Sequence, residues 1–182
     1  MARPICSGRR RRARSIAAAA IVPSLHALPS GGELPYAEAL LVGYRGYDHA
    51  GVEPLFAFGH GLGYTTWAYE SLVAAPARAG EDVEVRVAVR NDGRRAGREV
   101  VQVYVEGPVD GRASPVRILG GFAVVEAAQD EQVEARIAIP ARAFMRFDES
   151  VGGWAPRTGG YTIRAGRSSR DLRLNLRVEV VR

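Results

Sequence analysis

The chain has 182 residues, 47% hydrophobic and 25% charged. Those values exclude wholesale disorder, and the length allows a sizeable core without disulfide staples. The formal charge is +5 and every basic residue is Arg, but Arg9, Arg10, Arg11, Arg12 and Arg14 carry the excess and the remainder is close to neutral. No nucleic-acid-binding module follows that run, and no apolar stretch is long enough to cross a membrane as a helix. Neither a nucleic-acid nor a membrane partner is expected.

Residues 1–30 read as a disordered basic leader. Cys6, the single cysteine, has no partner in the chain, which leaves the compartment open. Ser15 to Val22 follow the basic run and loosely imitate an export signal. The apolar part is short and Ala-rich, and Pro23 cuts it. The cytoplasm is the expected location, with export as the alternative.

Residues 31–66 are dense in Gly and aromatics. Ala39-Leu40-Leu41-Val42 suits a short buried strand. The glycines that follow, from Gly43 to Gly63, argue against a helix of any length, so an ordered loop packed by its own aromatics is expected.

From Trp67 the pattern is all-β. Val83, Val85, Val87 and Val89 alternate with Glu84, Arg86, Ala88 and Arg90, the signature of a strand buried on one face. Asn91-Asp92-Gly93 is a turn signal, because these residues tolerate positive φ. Val101, Val103 and Val105 alternate with Gln102, Tyr104 and Glu106. Leu119 to Val125 form another candidate strand. Val133, Ala135, Ile137 and Ile139 alternate until Pro140, and Ala141 to Ala143 suit a short helical turn. Tyr161 to Ala165 follow a Gly pair, and Leu172, Leu174, Leu176, Val178 and Val180 alternate to the end. About seven short strands separated by turn signals predict an immunoglobulin-like sandwich. Without the cysteine pair of antibody domains, the fibronectin type III-like version is expected over residues 67–182.

Particular motifs carry a family likeness. Leu34-Pro35-Tyr36-Ala37-Glu38-Ala39-Leu40-Leu41-Val42-Gly43-Tyr44-Arg45-Gly46-Tyr47-Asp48 resembles the segment that closes the second catalytic domain of family 3 glycoside hydrolases, the β-glucosidase family. Glu53-Pro54-Leu55-Phe56-Ala57-Phe58-Gly59-His60-Gly61-Leu62-Gly63-Tyr64-Thr65-Thr66 is similar to the stretch that follows it. Val89 to Gly93, Gly97 to Val105, Leu119 to Phe122, Gly152 to Trp154, Gly160 to Ile163 and Gly166 to Leu172 resemble that family's fibronectin-like domain. Ala39 and Ala57 depart from the pattern, standing where the family usually has Gly and Pro. The resemblance implies three parts: residues 1–30 unlike the family, 31–66 a remnant of an α/β sandwich domain, and 67–182 the fibronectin type III-like domain. It also implies that the nucleophile Asp, usually in a Ser-Asp-Trp motif, and the acid/base Glu belong to upstream domains. No Ser-Asp-Trp occurs here, so the expectation is a truncated or frameshifted reading frame, or a misplaced start, and a chain inactive alone.

Chemistry by residue type is sparse. A retaining glycosidase needs two carboxylates about 5 Å apart. Glu38, Asp48, Glu53, Asp148 and Glu149 are the acidic groups of interest, and each reads more simply as a loop group or a turn cap. His26, His49 and His60 match no metal spacing, so no catalytic residue, metal or organic cofactor is expected. Gly59-His60-Gly61-Leu62-Gly63 does not follow a βαβ pattern and is no phosphate cradle. Tyr44, Arg45, Tyr47, Phe56 and Phe58 are the candidate interface residues, because aromatics and Arg dominate protein contacts. Their partner would be the catalytic domains of a family 3 glycosidase, in cis or in trans. Trp154, in a Gly-flanked loop, is the candidate for stacking on a sugar, with carbohydrate as the alternative partner.

Overall fold

The computed structural model describes residues 29, 31–34, 39–108 and 115–182. The expected leader, 1–30, lies almost wholly outside them. The described residues fall into two compact units that divide between Ala57 and Phe58, with Pro115 and Val116 belonging to the first.

Among the described residues the first unit holds one helix, α1 (Tyr44–His49, six residues). It is a correction to the expected helix-free loop. Gly43, at φ 60, precedes the helix as its N-cap, and Gly46, the glycine inside it, is buried. The Ala50 amide donates to the Gly46 carbonyl (2.9 Å) and the Val52 amide to the Tyr47 carbonyl (3.0 Å). One and a half turns tolerate a single Gly at a cost of about 1 kcal/mol. The expected strand Ala39–Val42 does not form, and Leu40 and Val42 are exposed. Among the described residues no neighbouring strand pairs with it, and an apolar run of four has no period to hold it.

The second unit is a β-sandwich. Strands β1 (Trp67–Ala74), β3 (Val83–Asn91) and β6 (Gln132–Ile139) make a three-stranded antiparallel sheet in the order β1-β3-β6. Strands β2 (Ala77–Arg78), β10 (Leu172–Val181), β9 (Gly159–Gly166), β4 (Gly97–Glu106) and β5 (Ile118–Ala127) make a five-stranded sheet in that order, with β2 alone running parallel to its neighbour. A separate hairpin pairs β7 (Met145–Asp148) with β8 (Gly153–Pro156). The short helical turn expected near Ala141 is present as a 3-10 turn, Ala141–Phe144.

Alternation sets which face goes inside. Val83, Val85, Val87 and Val89 are all fully buried, beside Ile137 and Ile139 of the same sheet, and they pack in one core with Val101, Val103, Val105, Ile163 and Ala165 of the five-stranded sheet. Burying each Val side chain stabilises the fold by about 1.5 kcal/mol or more. Phe144 closes one part of this core, its ring edge-on to Tyr161 with centroids 5.1 Å apart.

Three bulges re-aim side chains. In β1 the register shifts between Tyr69 and Ser71. Trp67 and Tyr69 face inward before it, Leu72 and Ala74 after it, because one extra residue inverts the parity of a strand. In β5 the shift skips Gly120. A Cβ there would press on Val105 and Ile139, and one on Gly121 would press on Ile137, so the Gly pair lets β5 turn the corner close to β6. In β10 the shift falls at Arg173.

Candidate functional site

Part of the outer face of the five-stranded sheet is covered. On β4 the alternation Val101, Val103, Val105 leads inward, and Gln102, Tyr104 and Glu106 should face solvent. Gln102 is 5% exposed and Tyr104 fully buried. The cover is the segment 58–66 together with the loop 167–171, which joins β9 to β10.

The segment is fastened at both ends. At its start the Ser169 amide donates to the Phe58 carbonyl (2.9 Å). The Gln102 amide nitrogen donates to the carbonyls of Gly59 (3.0 Å) and Arg167 (2.6 Å), and Gln102 Oε1 accepts from the Tyr104 hydroxyl (2.7 Å). Gly59 has φ +79, and a Cβ on it would collide with the Gln102 side-chain amide. Both facts call for glycine. At the other end Thr65 Oγ1 donates to Asn91 Oδ1 (2.5 Å) and the Asp92 amide donates to the Thr66 carbonyl (3.1 Å).

Asn91 is the hub of that end. It is fully buried. Its side-chain nitrogen donates to the carbonyls of Arg95 (2.7 Å) and Ala127 (3.0 Å), and its oxygen also accepts from the Gly93 amide (3.1 Å). Every hydrogen-bonding position of the side chain is used, as a buried amide requires. The reason for Gly93 differs from the one expected. It does not adopt positive φ; a Cβ there would strike Thr65 and the Thr66 amide, and one on Gly97 would strike the Thr65 methyl. The two glycines form the seat for Thr65.

Between the two ends lies a charged cluster. Glu99, 5% exposed, accepts from Arg167 Nε (2.9 Å) and from the Tyr69 hydroxyl (3.1 Å). Burial first, and then the Glu99 charge and its hydrogen bond, hold the Tyr69 hydroxyl protonated far above the ordinary phenol range. Arg173 pairs with Asp171 through two contacts (2.9 and 3.1 Å), and also donates to the Trp67 carbonyl (2.9 Å). The Arg173 hydrogen bond holds the Asp171 carboxyl below its ordinary range, against the opposing effect of burial. A shallow cleft of about 100 Å³ runs beside this cluster, with Leu62, Glu99, Val100 and Arg167 among its walls. Ligand pockets are several times larger, so the cleft does not hold a sugar ring. The arrangement is a segment fixed at both ends, with buried pairing beside it and exposed apolar side chains on it.

The residues singled out from sequence are distributed as follows. Tyr44, Arg45 and Tyr47 lie on α1, with the Arg45 guanidinium 5.9 Å from the Tyr44 ring. Phe56 is 70% exposed in the first unit and Phe58 46% exposed at the start of the second. Trp154 lies on strand β8 and not in a loop. It is half exposed, with the Arg142 guanidinium 3.4 Å from its ring centre and Phe147 edge-on at 5.7 Å. Asp48 is on α1 and Glu53 is exposed in the loop after it. Asp148 caps its turn, accepting from the Ser150 amide (2.9 Å) and hydroxyl (2.6 Å). Glu149 is exposed beside it, as are His49 and His60; Glu38 and His26 lie outside the described residues. Among the described residues no group of three His, Cys, Asp or Glu could hold a metal ion. Sequence reasoning missed Gln102, Glu99 and Asn91. For Asn91 and Glu99 the signal was parity, since each continues the inward-facing valine row of its strand; for Gln102, on the outer face, no local signal existed.

Comparison with known proteins places this architecture. Residues 99–169 match the fibronectin type III-like domain. The chain is 37% identical to thermostable β-glucosidase B of Acetivibrio thermocellus over 147 residues, which cover 80% of this chain and 20% of that protein. The chain matches the C-terminal part of family 3 β-glucosidases, with a fibronectin type III-like domain as its body. Among solved structures, the family 3 β-glucosidase of Bifidobacterium adolescentis is similar with a TM-score of 0.81 at 33% identity, over 87% of this chain and 23% of that one. A β-glucosidase of Streptomyces venezuelae, solved with D-glucose, is similar with a TM-score of 0.79 at 34% identity, over 85% and 20%. The chain therefore spans about a fifth of the length of the relatives it matches. The fibronectin type III-like match begins at Glu99, near the start of β4, while the sandwich itself takes in β1, β2 and β3 before it.

Proposed function

We propose that this chain serves as the accessory structural module of a family 3 β-glucosidase, docked against the domains that carry out hydrolysis of a β-linked glucoside. The observation that carries the reading is the covered sheet face. A segment joining the sandwich to the chain before it is clamped at one end by Gln102 of β4 and at the other by Asn91 of β3, in a domain that matches a fifth of each β-glucosidase. A rigid junction of that kind fixes a neighbour's orientation, where a flexible tether would not. In this reading Tyr44, Arg45, Tyr47, Phe56 and Phe58 contact the catalytic domains, and this module supplies no catalytic carboxylate.

The test is complementation. The Acetivibrio thermocellus relative is expressed without the part matched here and assayed on an aryl β-glucoside, alone and with this chain fused in its place. Restored hydrolysis in the fusion, with none from this chain by itself, is the expected result. Hydrolysis by this chain alone, or a fusion no better than the truncated relative, refutes the reading.

Carbohydrate binding is the second reading, favoured by Trp154 and Phe147, both half exposed on the β7–β8 hairpin. It requires retention on an insoluble glucan that Trp154→Ala abolishes. Arg142 already stacks on the indole, so a sugar would have to use the opposite face or displace it.

A further inference from the structure

Leu62 and Tyr64 are each 94% exposed, yet the segment that carries them is held at both ends by the bonds at Gly59 and Thr65. Fully exposed large apolar side chains on a fixed backbone signal a surface that another surface covers. The glycines around them strengthen the argument. Gly59 is required by its neighbour Gln102, and Gly93 and Gly97 by Thr65. Gly61 and Gly63 have no such reason. Neither has positive φ. A Cβ on Gly61 would meet nothing, and one on Gly63 only ordinary contacts at 3.6 Å or beyond. Nothing within this domain calls for glycine there, whereas close approach of an external surface to the backbone does.

Apolar surface continues from Leu62 across the sheet. Leu62 shares the shallow cleft with Val100. Val100 pairs across the strands with Val124, and Phe122 follows two residues before Val124, opposite Gln102. All three are exposed. On the other side, Arg94, Arg95 and Arg98 are exposed on the β3–β4 connection and the start of β4.

We propose that Leu62 and Tyr64, with Gly61 and Gly63 beneath the contact and Arg94, Arg95 and Arg98 at its rim, form a docking surface for the catalytic part of the enzyme, which presents an apolar pocket edged by carboxylates. The inference rests on the accessory-module reading above and assigns its contact residues. The occupant is argued from continuity: the segment 58–66 leads from the sandwich into the preceding chain, and the relatives carry about four-fifths of their length outside the part matched here. An aromatic and an aliphatic anchor surrounded by arginines is the composition of a contact centre. The arginine rim makes the association sensitive to salt.

The test measures association of this chain with the Acetivibrio thermocellus relative lacking its matched part, by titration calorimetry. The double variant Leu62→Ser/Tyr64→Ser should raise Kd at least tenfold, and Gly61→Ala and Gly63→Ala should each raise it several-fold. Arg98→Glu should raise Kd at low salt and lose its effect at high salt. All of these positions are exposed, so melting temperatures should stay at the wild-type value. If the wild-type chain associates and the Leu62/Tyr64 variant binds as tightly, this docking surface is overturned while the accessory-module reading stands. If the wild-type chain does not associate with a truncated relative that circular dichroism shows to be folded, the docking surface is overturned, and the accessory-module reading falls with it only if the fusion also fails to restore hydrolysis. A concentration-dependent dimer of this chain that the same double variant abolishes would assign the surface to a second copy and also overturn the proposal.

Discussion

Replacing Gln102 by Ala tests whether the outer face of the sheet is a real second core. The side chain makes three hydrogen bonds, two donated to the Gly59 and Arg167 carbonyls and one accepted from the Tyr104 hydroxyl. Each is worth about 1 kcal/mol net. A loss of about 3 kcal/mol follows, softened where water reaches the two carbonyls. For a domain of this size that loss lowers the melting temperature by ~10 °C. Circular dichroism on heating reads the shift. Hydrogen exchange localises it, because the Ser169 amide, which donates to Phe58, should lose protection before the amides of β3 do. Gln102→Glu keeps the shape and the acceptor for Tyr104 but has no N–H to give, and it points a carboxylate at two carbonyls. It should cost at least as much as Ala. A melting temperature within 2 °C of wild type for Gln102→Ala, about a fifth of the expected shift, would refute the view that this residue clamps the segment.

Three more outcomes are expected. Gly59→Ala forces a Cβ into positive φ against the Gln102 amide, and should lose about 2–3 kcal/mol from backbone strain and broken hydrogen bonds, read as faster proteolysis within 58–66 than in the wild type. Ala39 sits at φ 44, where the resembling family places Gly. Ala39→Gly should relieve strain and gain about 0.5–1 kcal/mol after the entropy of glycine is counted, seen as slower exchange at the Ala50 and Val52 amides; unchanged exchange would mean that the turn carries no strain. Asp171 has its carboxyl lowered in the fold by the Arg173 hydrogen bond. Its contribution is present above the ordinary Asp value of about 3.9 and is lost as the pH falls through the lower, folded value. Asp171→Asn should flatten that acid limb of the stability curve, by less than about 1 kcal/mol because the pair is half exposed, and an identical limb in both proteins would refute the assignment.

Much of the sandwich was legible in the sequence because strand burial follows parity. Val83 to Val89 and Val133 to Ile139 alternate with polar residues, and the pleat turns such a pattern into one buried face without reference to anything distant. The turn at Asn91 and the helical turn after Pro140 were legible for the same local reason. Features that depend on what lies opposite were not. Ala39 to Val42 read as a strand, but a strand exists only where a partner strand accepts its hydrogen bonds. Gly43 and Gly46 read as breakers, yet Gly43 is the N-cap of a short helix. The β7–β8 pairing that holds Trp154 lay in what read as a loop. Gln102 read as solvent-facing and is buried, because the segment 58–66 and the loop 167–171 lie against that part of β4; Asn91 read as a turn residue and is buried at the inward-facing end of β3. Alternation says which residues share a face of a strand. Whether the polar face meets water or another piece of the chain is decided only by the path the backbone takes between strands, and that path is set by contacts such as Gly59 on Gln102 and Thr65 between Gly93 and Gly97, whose partners lie tens of residues apart and leave no local period.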